Sequence, residues 1–386
     1  MFRLAFVSHS LPRDDRPDEN VGGMQRVARE LHDALERSGD VRLHPVVMRA
    51  TWAETHRRVG PFLASSLMRL RRMFGSGDID AVLYSSMITA ALDPLLRRLR
   101  QRQGVGAGVI VHGLDVTTPT RLWQWYVRRV FRSVDRVFPV SRATADACMK
   151  RGLELSRVYV VPNGVDVARF GGERETAGAR DRLATIPGLS NLPPDAFVLA
   201  SVGRHVERKG FAWFAGNVMQ LLGEMVHYVI AGEGPESARI GEAASAAGVA
   251  GRVHLPGRLS ESDLLRLYAG ADVFVMPNVR VRGDMEGFGV VLLEAALSGT
   301  PAVAAAIDGI LDVITPGENG VLVESGDAAA FAGAIRRYNE DRALLGEASR
   351  RARSHTTANF GWDAIARRYV TVLADVATVA RPGPGR

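Results

Sequence analysis

The chain has 386 residues, 46% hydrophobic and 24% charged, a composition ordinary for a globular protein and a length sufficient for two domains with separate cores. Its formal charge of +7 is uneven: residues 1–163 carry 26 Lys+Arg against 16 Asp+Glu, net +10, and residues 164–386 carry 23 against 26, net −3. The apolar start Phe2 to Val7 is too short for a signal peptide, no apolar run approaches the ~20 residues of a membrane helix, and the single Cys148 forbids an internal disulfide, so a cytoplasmic protein is expected.

Short β-like runs alternate with helical patterns along the whole chain, which predicts βαβ units and parallel sheets. In the first half the candidate strands are Arg3–Val7, Leu43–Met48, Ala81–Tyr84, Gly108–Val111, Arg136–Val140 and Val158–Val161. The first helix places Val27, Leu31 and Leu35 at a spacing of four, one stripe for a core. The turn Pro162-Asn163-Gly164-Val165-Asp166 breaks this series, and residues 171–195, rich in Gly, Pro and charge, read as a linker followed by a surface loop. A second series follows: Phe197–Val202, Tyr228–Ala231, Val253–Leu255, Val273–Met276, Ala302–Ala304 and Val321–Val323. The tail from Phe360 to about Ala380 reads as a helix. The expected division is 1–163, 164–360 and a terminal helix 361–380 that returns to the N-terminal domain.

The densest chemistry lies in Glu286-Gly287-Phe288-Gly289-Val290-Val291-Leu292-Leu293-Glu294. Gly287 and Gly289 permit a tight turn with uncovered N–H groups, and a helix opening there presents donors and its positive dipole end to phosphate. Glu286 precedes that opening and Glu294 lies ~7.5 Å along the helix at 1.5 Å per residue. Two carboxylates flanking a phosphate seat suit hydroxyls, not the phosphate itself. Glu294 also interrupts an apolar run, so burial would oblige it to find a partner. Gly22-Gly23, between the first strand and first helix, allows close approach to an anion, and equally describes a flexible loop. His112 follows the strand Gly108–Val111 and stands at its carboxyl end, where ligands of doubly wound sheets bind. Arg204 and Lys209 follow the strand Phe197–Val202; two fixed cations at a strand tip suit a diphosphate, although either can be a solvated loop charge. Only Lys150 and Lys209 are lysines among 49 basic residues, so a compact ammonium at 209 is notable.

In order and spacing these marks resemble the GT-B retaining glycosyltransferases of family 4: Gly22-Gly23, His112-Gly113, Pro162 to Asp166, Arg204 with Lys209-Gly210, Gly232-Glu233-Gly234-Pro235, and Glu286 to Gly289 with Glu294. The resemblance covers almost the whole chain. It implies two Rossmann-like α/β domains facing a cleft and a nucleoside-diphosphate sugar held mainly by the second. Arg204 and Lys209 would neutralise the departing diphosphate; Glu286 and the N–H groups around Phe288 and Val290 would grip sugar hydroxyls. Glu294 would take the ribose, Gly23 approach the diphosphate, His112 contact the donor sugar, and Arg258 with Leu259 hold the base. Such transferases are usually metal-independent. The Asp-x-Asp at Asp78-Ile79-Asp80, a metal signature elsewhere, precedes a strand at its amino end and reads as a polar turn. Two departures stand out: Ile307 to Asp312 replaces the family's Gly-Gly-and-Glu loop and receives no role, and Arg280 to Met285 is a long insert.

The implied acceptor is a saccharide or lipid-linked saccharide of cell-envelope or exopolysaccharide assembly, at the inner face of a membrane. Leu67 to Phe74 and Leu122 to Arg132 mix Arg with apolar residues as interfacial helices do, which suits an anionic membrane surface. The same helices also read as ordinary ones, with Val127, Val130 and Phe131 in the core. Nucleic acid is not expected, since no recognition motif accompanies the charge. Rival readings are a nucleotide-sugar epimerase of the same fold, for which no extra buried acid–base pair is found, a transferase acting on a small natural product, and a non-catalytic binding protein.

Overall fold

The computed structural model describes residues 1–13, 23–170 and 179–380. The chain forms two compact units, one comprising Met1–Gly164 with the segment from Trp362 onward, the other Val165–Gly361.

The first unit is built on five parallel strands, β1 (Phe2–Leu11), β2 (Val41–Arg49), β3 (Ala81–Tyr84), β4 (Gly106–Val111) and β5 (Arg136–Pro139), in the order β2-β1-β3-β4-β5. Pro45 is tolerated inside β2 because that strand is an edge. The sixth candidate, Val158–Val161, is not a strand. Tyr159 and Val161 donate to Val137 and Pro139 carbonyls, but Pro139 has no N–H to return, and one parallel bridge is all that forms. The stripe Val27, Leu31 and Leu35 of the helix Gly23–Arg37 is buried. The helix Trp362–Ala380 lies on β4, so closely that a Cβ on Gly108 would sit 3.0 Å from Leu373 and 2.4 Å from Phe138. Trp362 Nε1 donates to Glu30 at 2.5 Å, and Tyr369 meets Phe138 edge-on. Asp80 pairs with Arg3 at 2.6 Å, joining the amino ends of β1 and β3, which accounts for half of the Asp-x-Asp.

Beneath the helices Asp93–Arg102 and Arg121–Ser133 lies a buried ionic cluster. Arg100, 1% exposed, pairs with Asp93 at 3.0 Å and Asp135 at 2.5 Å, and donates to the Ser133 and Val105 carbonyls. Tyr84 adds a bond to Asp93.

The second unit has six parallel strands, β6 (Phe197–Val202), β7 (Val226–Ala231), β8 (Val253–Gly257), β9 (Val273–Met276), β10 (Ala302–Ala305) and β11 (Gly320–Val323), ordered β11-β10-β9-β6-β7-β8. All six occur where the sequence pattern put them. Residues 171–195 differ from the expected linker and surface loop: 171–178 lie outside the described residues, but 179–184 form a helix, and Leu183, Ile186 and Leu189 are buried. Leu183 packs where Gly270 leaves room. The tail forms the expected helix, Trp362–Ala380, and Gly361 separates it from the preceding helix Arg342–Phe360. Val165 donates to the Phe360 carbonyl at 2.8 Å, bringing the two ends of this unit together.

Asp93→Ala should leave Arg100 short of one buried counter-charge and cost about 3–5 kcal/mol in chemical denaturation of the full chain.

Candidate functional site

In the second unit the strand order reverses between β6 and β9, and the loops leaving their carboxyl ends carry the charged residues. The loop after β6 runs through Arg204 to Lys209 and ends at Gly210, whose φ of 67° is left-handed and whose missing side chain lets the Pro277 carbonyl approach. After β9 the chain carries Asn278, the insert and Glu286. Lys209 and Glu286 are both buried, each 8% exposed, and form an ion pair of 2.6 Å. Asn278 Nδ2 donates to the same Glu286 oxygen at 3.1 Å, and Arg208 stands 3.9 Å from it while pairing with Asp284 at 3.2 Å. Burial alone would raise the Glu286 carboxyl, but Lys209 and Arg208 hold it below the usual carboxylate range. Burial pushes the Lys209 ammonium down, against the attraction of Glu286. An ammonium has three donors. Among the described residues Lys209 spends one, on Glu286, and two have no acceptor.

The loop after β10 clasps the Glu286 backbone. Asp308 Oδ2 accepts from the Glu286 N–H at 3.1 Å, and the Gly309 N–H donates to its carbonyl at 3.0 Å. Asp308 is the one non-glycine residue with positive φ, 48°, among the described residues. The loop that sequence reasoning left without a role is therefore the strap that positions Glu286; an Asp before a Gly, both fit for a left-handed turn, is the signal that was available.

Gly289, with φ 93°, caps the helix Val290–Leu297. It is buried and Gly287 half-buried, so the turn is more enclosed than expected; Phe288 is buried too and packs near Phe360. The N–H groups of Phe288, Gly289 and Val290 nonetheless meet no acceptor among the described residues. Glu294 is 1% exposed and accepts from the Tyr268 hydroxyl at 2.7 Å. Tyr268, held between Phe170 and Phe274, is the obligate partner that the sequence alone did not reveal.

Arg204 and Lys209 lie at different depths: Arg204 is exposed and makes no side-chain contact among the described residues, whereas Lys209 is interior. Lys209 ends a 3₁₀ turn at Gly210, which packs on the Pro277 carbonyl, whereas Arg204 precedes that turn, directly after Gly203. Arg258 and Leu259 follow β8 directly, beside the β7 tip, where the Gly232 N–H donates to the Gly257 carbonyl.

In the first unit the order reverses between β1 and β3. His112 follows β4, its N–H donating to Asp115 Oδ1 and its Nε2 lying 2.9 Å from the Ser85 carbonyl. That carbonyl can only accept, which leaves Nδ1 as the nitrogen open to a ligand. His9, near the end of β1, was missed: it is 5% exposed, 3.4 Å from Ser86 Oγ, and lowered to about 4 by burial and then by His112. Burial raises the Asp115 carboxyl, opposed by His112. Of the glycine pair, Gly22 lies outside the described residues and Gly23 opens the helix Gly23–Arg37.

Comparison with known proteins places this geometry in context. The model for Glycosyl transferases group 1 matches residues 185–355, and that for Glycosyltransferase Family 4 matches residues 21–169. A GDP-mannose-dependent alpha-(1-6)-phosphatidylinositol monomannoside mannosyltransferase of Mycolicibacterium smegmatis is 31% identical over 69% of each chain. The lipopolysaccharide core biosynthesis glycosyltransferase LpsE of Rhizobium meliloti is 36% identical over 48% of this chain, which spans about half of that protein (52%). HepE of Anabaena, solved with UDP and glucose, superimposes with a TM-score of 0.71 at 17% identity, covering 97% of this chain and 99% of that one; the likeness is of the GT-B fold.

Asp308→Ala should cost about 2–3 kcal/mol, from a left-handed alanine and a lost bond to Glu286, while Asp308→Asn, which tolerates both, should cost under about 1 kcal/mol in the same denaturation assay. His9 gives a pH signature. Its folded pKa of about 4 lies below its ordinary 6.5, so the unfolded chain takes up the proton first and stability falls as pH drops through that window. At about 1.4 kcal/mol per unit the loss approaches ~3 kcal/mol, and His9→Asn should flatten this part of the stability profile.

Proposed function

The chain belongs to glycosyltransferase family 4, and from that premise we propose that it moves a sugar from a nucleoside-diphosphate sugar to a hydroxyl of a saccharide or lipid-linked saccharide, with retention at the anomeric carbon. One observation carries the reading: a buried ammonium with two uncommitted donors, Lys209, and a helix start with open N–H groups occur in the same unit. Unsatisfied buried donors are costly, so the arrangement anticipates an anion rich in acceptor oxygens, which a diphosphate is. That the HepE structure holds UDP and that the mycobacterial relative is named for GDP-mannose supports the donor class.

In the proposed reaction Lys209 and Arg204 stabilise the charge that grows on the leaving diphosphate. Glu286, fixed by Lys209, Asn278 and Asp308, accepts from donor-sugar hydroxyls through its remaining lone pairs. Glu294 exchanges its Tyr268 bond for, or shares it with, ribose hydroxyls, and Arg258 with Leu259 lies against the base. His112 is assigned to the donor sugar and Gly22-Gly23 to the diphosphate. As the C–O bond to the diphosphate breaks, the acceptor hydroxyl attacks from the same face and its proton passes to a diphosphate oxygen. The protein supplies positioning and charge, so no metal ion is required. No helix among the described residues is long and apolar enough to cross a membrane, and a lipid-linked acceptor would be reached from a bilayer surface.

Thermal stabilisation by a panel of UDP-, GDP- and ADP-sugars, followed by transfer with the stabilising donor, tests the reading; no stabilisation by any of them would overturn it, and an isomerised donor in the absence of acceptor would favour an epimerase. Lys209→Ala should lower kcat by roughly a hundredfold or more with a smaller change in donor KM. Turnover should persist in EDTA.

A further inference from the structure

The helices Asp93–Arg102 and Arg121–Ser133 of the first unit frame a pocket of about 600 Å³ that none of the roles above uses. The inward face of the second helix, Val127, Val130 and Phe131, is buried in the core. Its outward face carries Arg121, Trp125, Arg128, Arg129 and Arg132, at steps of three and four that place them on one stripe. Arg97 closes the pocket from the facing helix. All five arginines are exposed, and among the described residues none has an acidic partner; the one contact recorded is Arg129 over the Trp125 ring at 5.7 Å. Asp93 and Asp135, on and beside the same elements, are already bound to Arg100.

Five uncompensated guanidinium groups around one cavity repel each other and gain from a polyanion with acceptor oxygens. The rim distinguishes which kind. Trp125, which lines the pocket, is 60% exposed, and Leu95 and Leu122, next in sequence to the lining residues Pro94 and Arg121, are 66% and 76% exposed, an arrangement that costs in water and gains in a headgroup layer. The other basic segment, Leu67 to Phe74, lacks such a rim: Leu70 and Phe74 are buried and Met68 alone projects prominently.

We propose that this pocket is a membrane-docking site, seating phosphates of anionic phospholipids among Arg97, Arg121, Arg128, Arg129 and Arg132 while Leu95, Leu122 and Trp125 enter the interfacial layer. The proposal rests on the reading of the chain as a transferase that reaches lipid-linked acceptors. The buried Arg100 cluster is the rigid floor, so the helices need not reorganise on contact.

The test is flotation of the full chain with phosphatidylglycerol-containing vesicles, with phosphatidylcholine vesicles as reference. Wild type should float with the former only and should be released in about 1 M salt, where the Debye length is about 3 Å. The triple variant Arg128→Gln, Arg129→Gln, Arg132→Gln should partition roughly a hundredfold less, at about fivefold for each arginine lost. Brominated lipid should quench tryptophan emission in wild type and much less in Trp125→Phe, a readout that a merely folded surface would not give. Flotation of the triple variant equal to wild type, absence of Trp125 quenching, or retention of an oligonucleotide without any vesicle binding would each overturn the site, as would stabilisation by inorganic phosphate without flotation. Wild type that transfers sugar to a soluble acceptor but does not float sinks the docking site and leaves the transferase reading standing; wild type that floats but transfers nothing does the converse.

Discussion

The second unit is organised by the need to bury one carboxylate. Glu286 is out of water, where an unpaired charge costs several kcal/mol. Two strand tips answer that cost, Lys209 in the loop after β6 and Asn278 at the end of β9, while Asp308 and Gly309 in the loop after β10 hold the Glu286 backbone. Seating this one residue, side chain and backbone together, therefore ties three strand tips to one another. The remainder is an imbalance of donors over acceptors, spread over Lys209 and the N–H groups before Val290, which the proposed diphosphate would satisfy.

The first unit applies the same topology to different chemistry. Its polar groups also gather where strand order reverses, and there burial opposes charge: it lowers His9 to about 4 and raises the Asp115 carboxyl against the pull of His112. Neutral imidazole and carbonyl groups discriminate among hydroxyls by direction, whereas the charged set of the second unit answers to total charge.

Much of this was legible in the residues. Short apolar runs rich in Val, Ile and Ala located all six strands of the second sheet and five of the first, because buried parallel strands must be apolar on both faces. Glycine spacing located the helix start at Val290, and the scarcity of lysine pointed to Lys209. What escaped depended on contacts between distant residues. Nothing near Glu294 announces Tyr268, 26 positions earlier. Pro139 ended the first sheet by withholding a donor from a neighbour that looked like a strand. Leu183, Ile186 and Leu189 were hidden in a stretch whose composition suggested a loop. The strap at Asp308 was concealed by its departure from the family pattern, although its geometry performs a recognisable task.

The helix Trp362–Ala380 completes the first sheet, yet it follows the whole second unit in the chain. During synthesis the face of β4 lined by Gly106 and Gly108 waits uncovered while some two hundred further residues emerge. The second unit, whose ends meet at Val165 and Phe360, has no such dependence and can mature as soon as it leaves the ribosome. The earliest-made portion is thus the last to be finished, and a chain cut short after Gly361 would expose a sticky groove along β4 for chaperones and proteases to find.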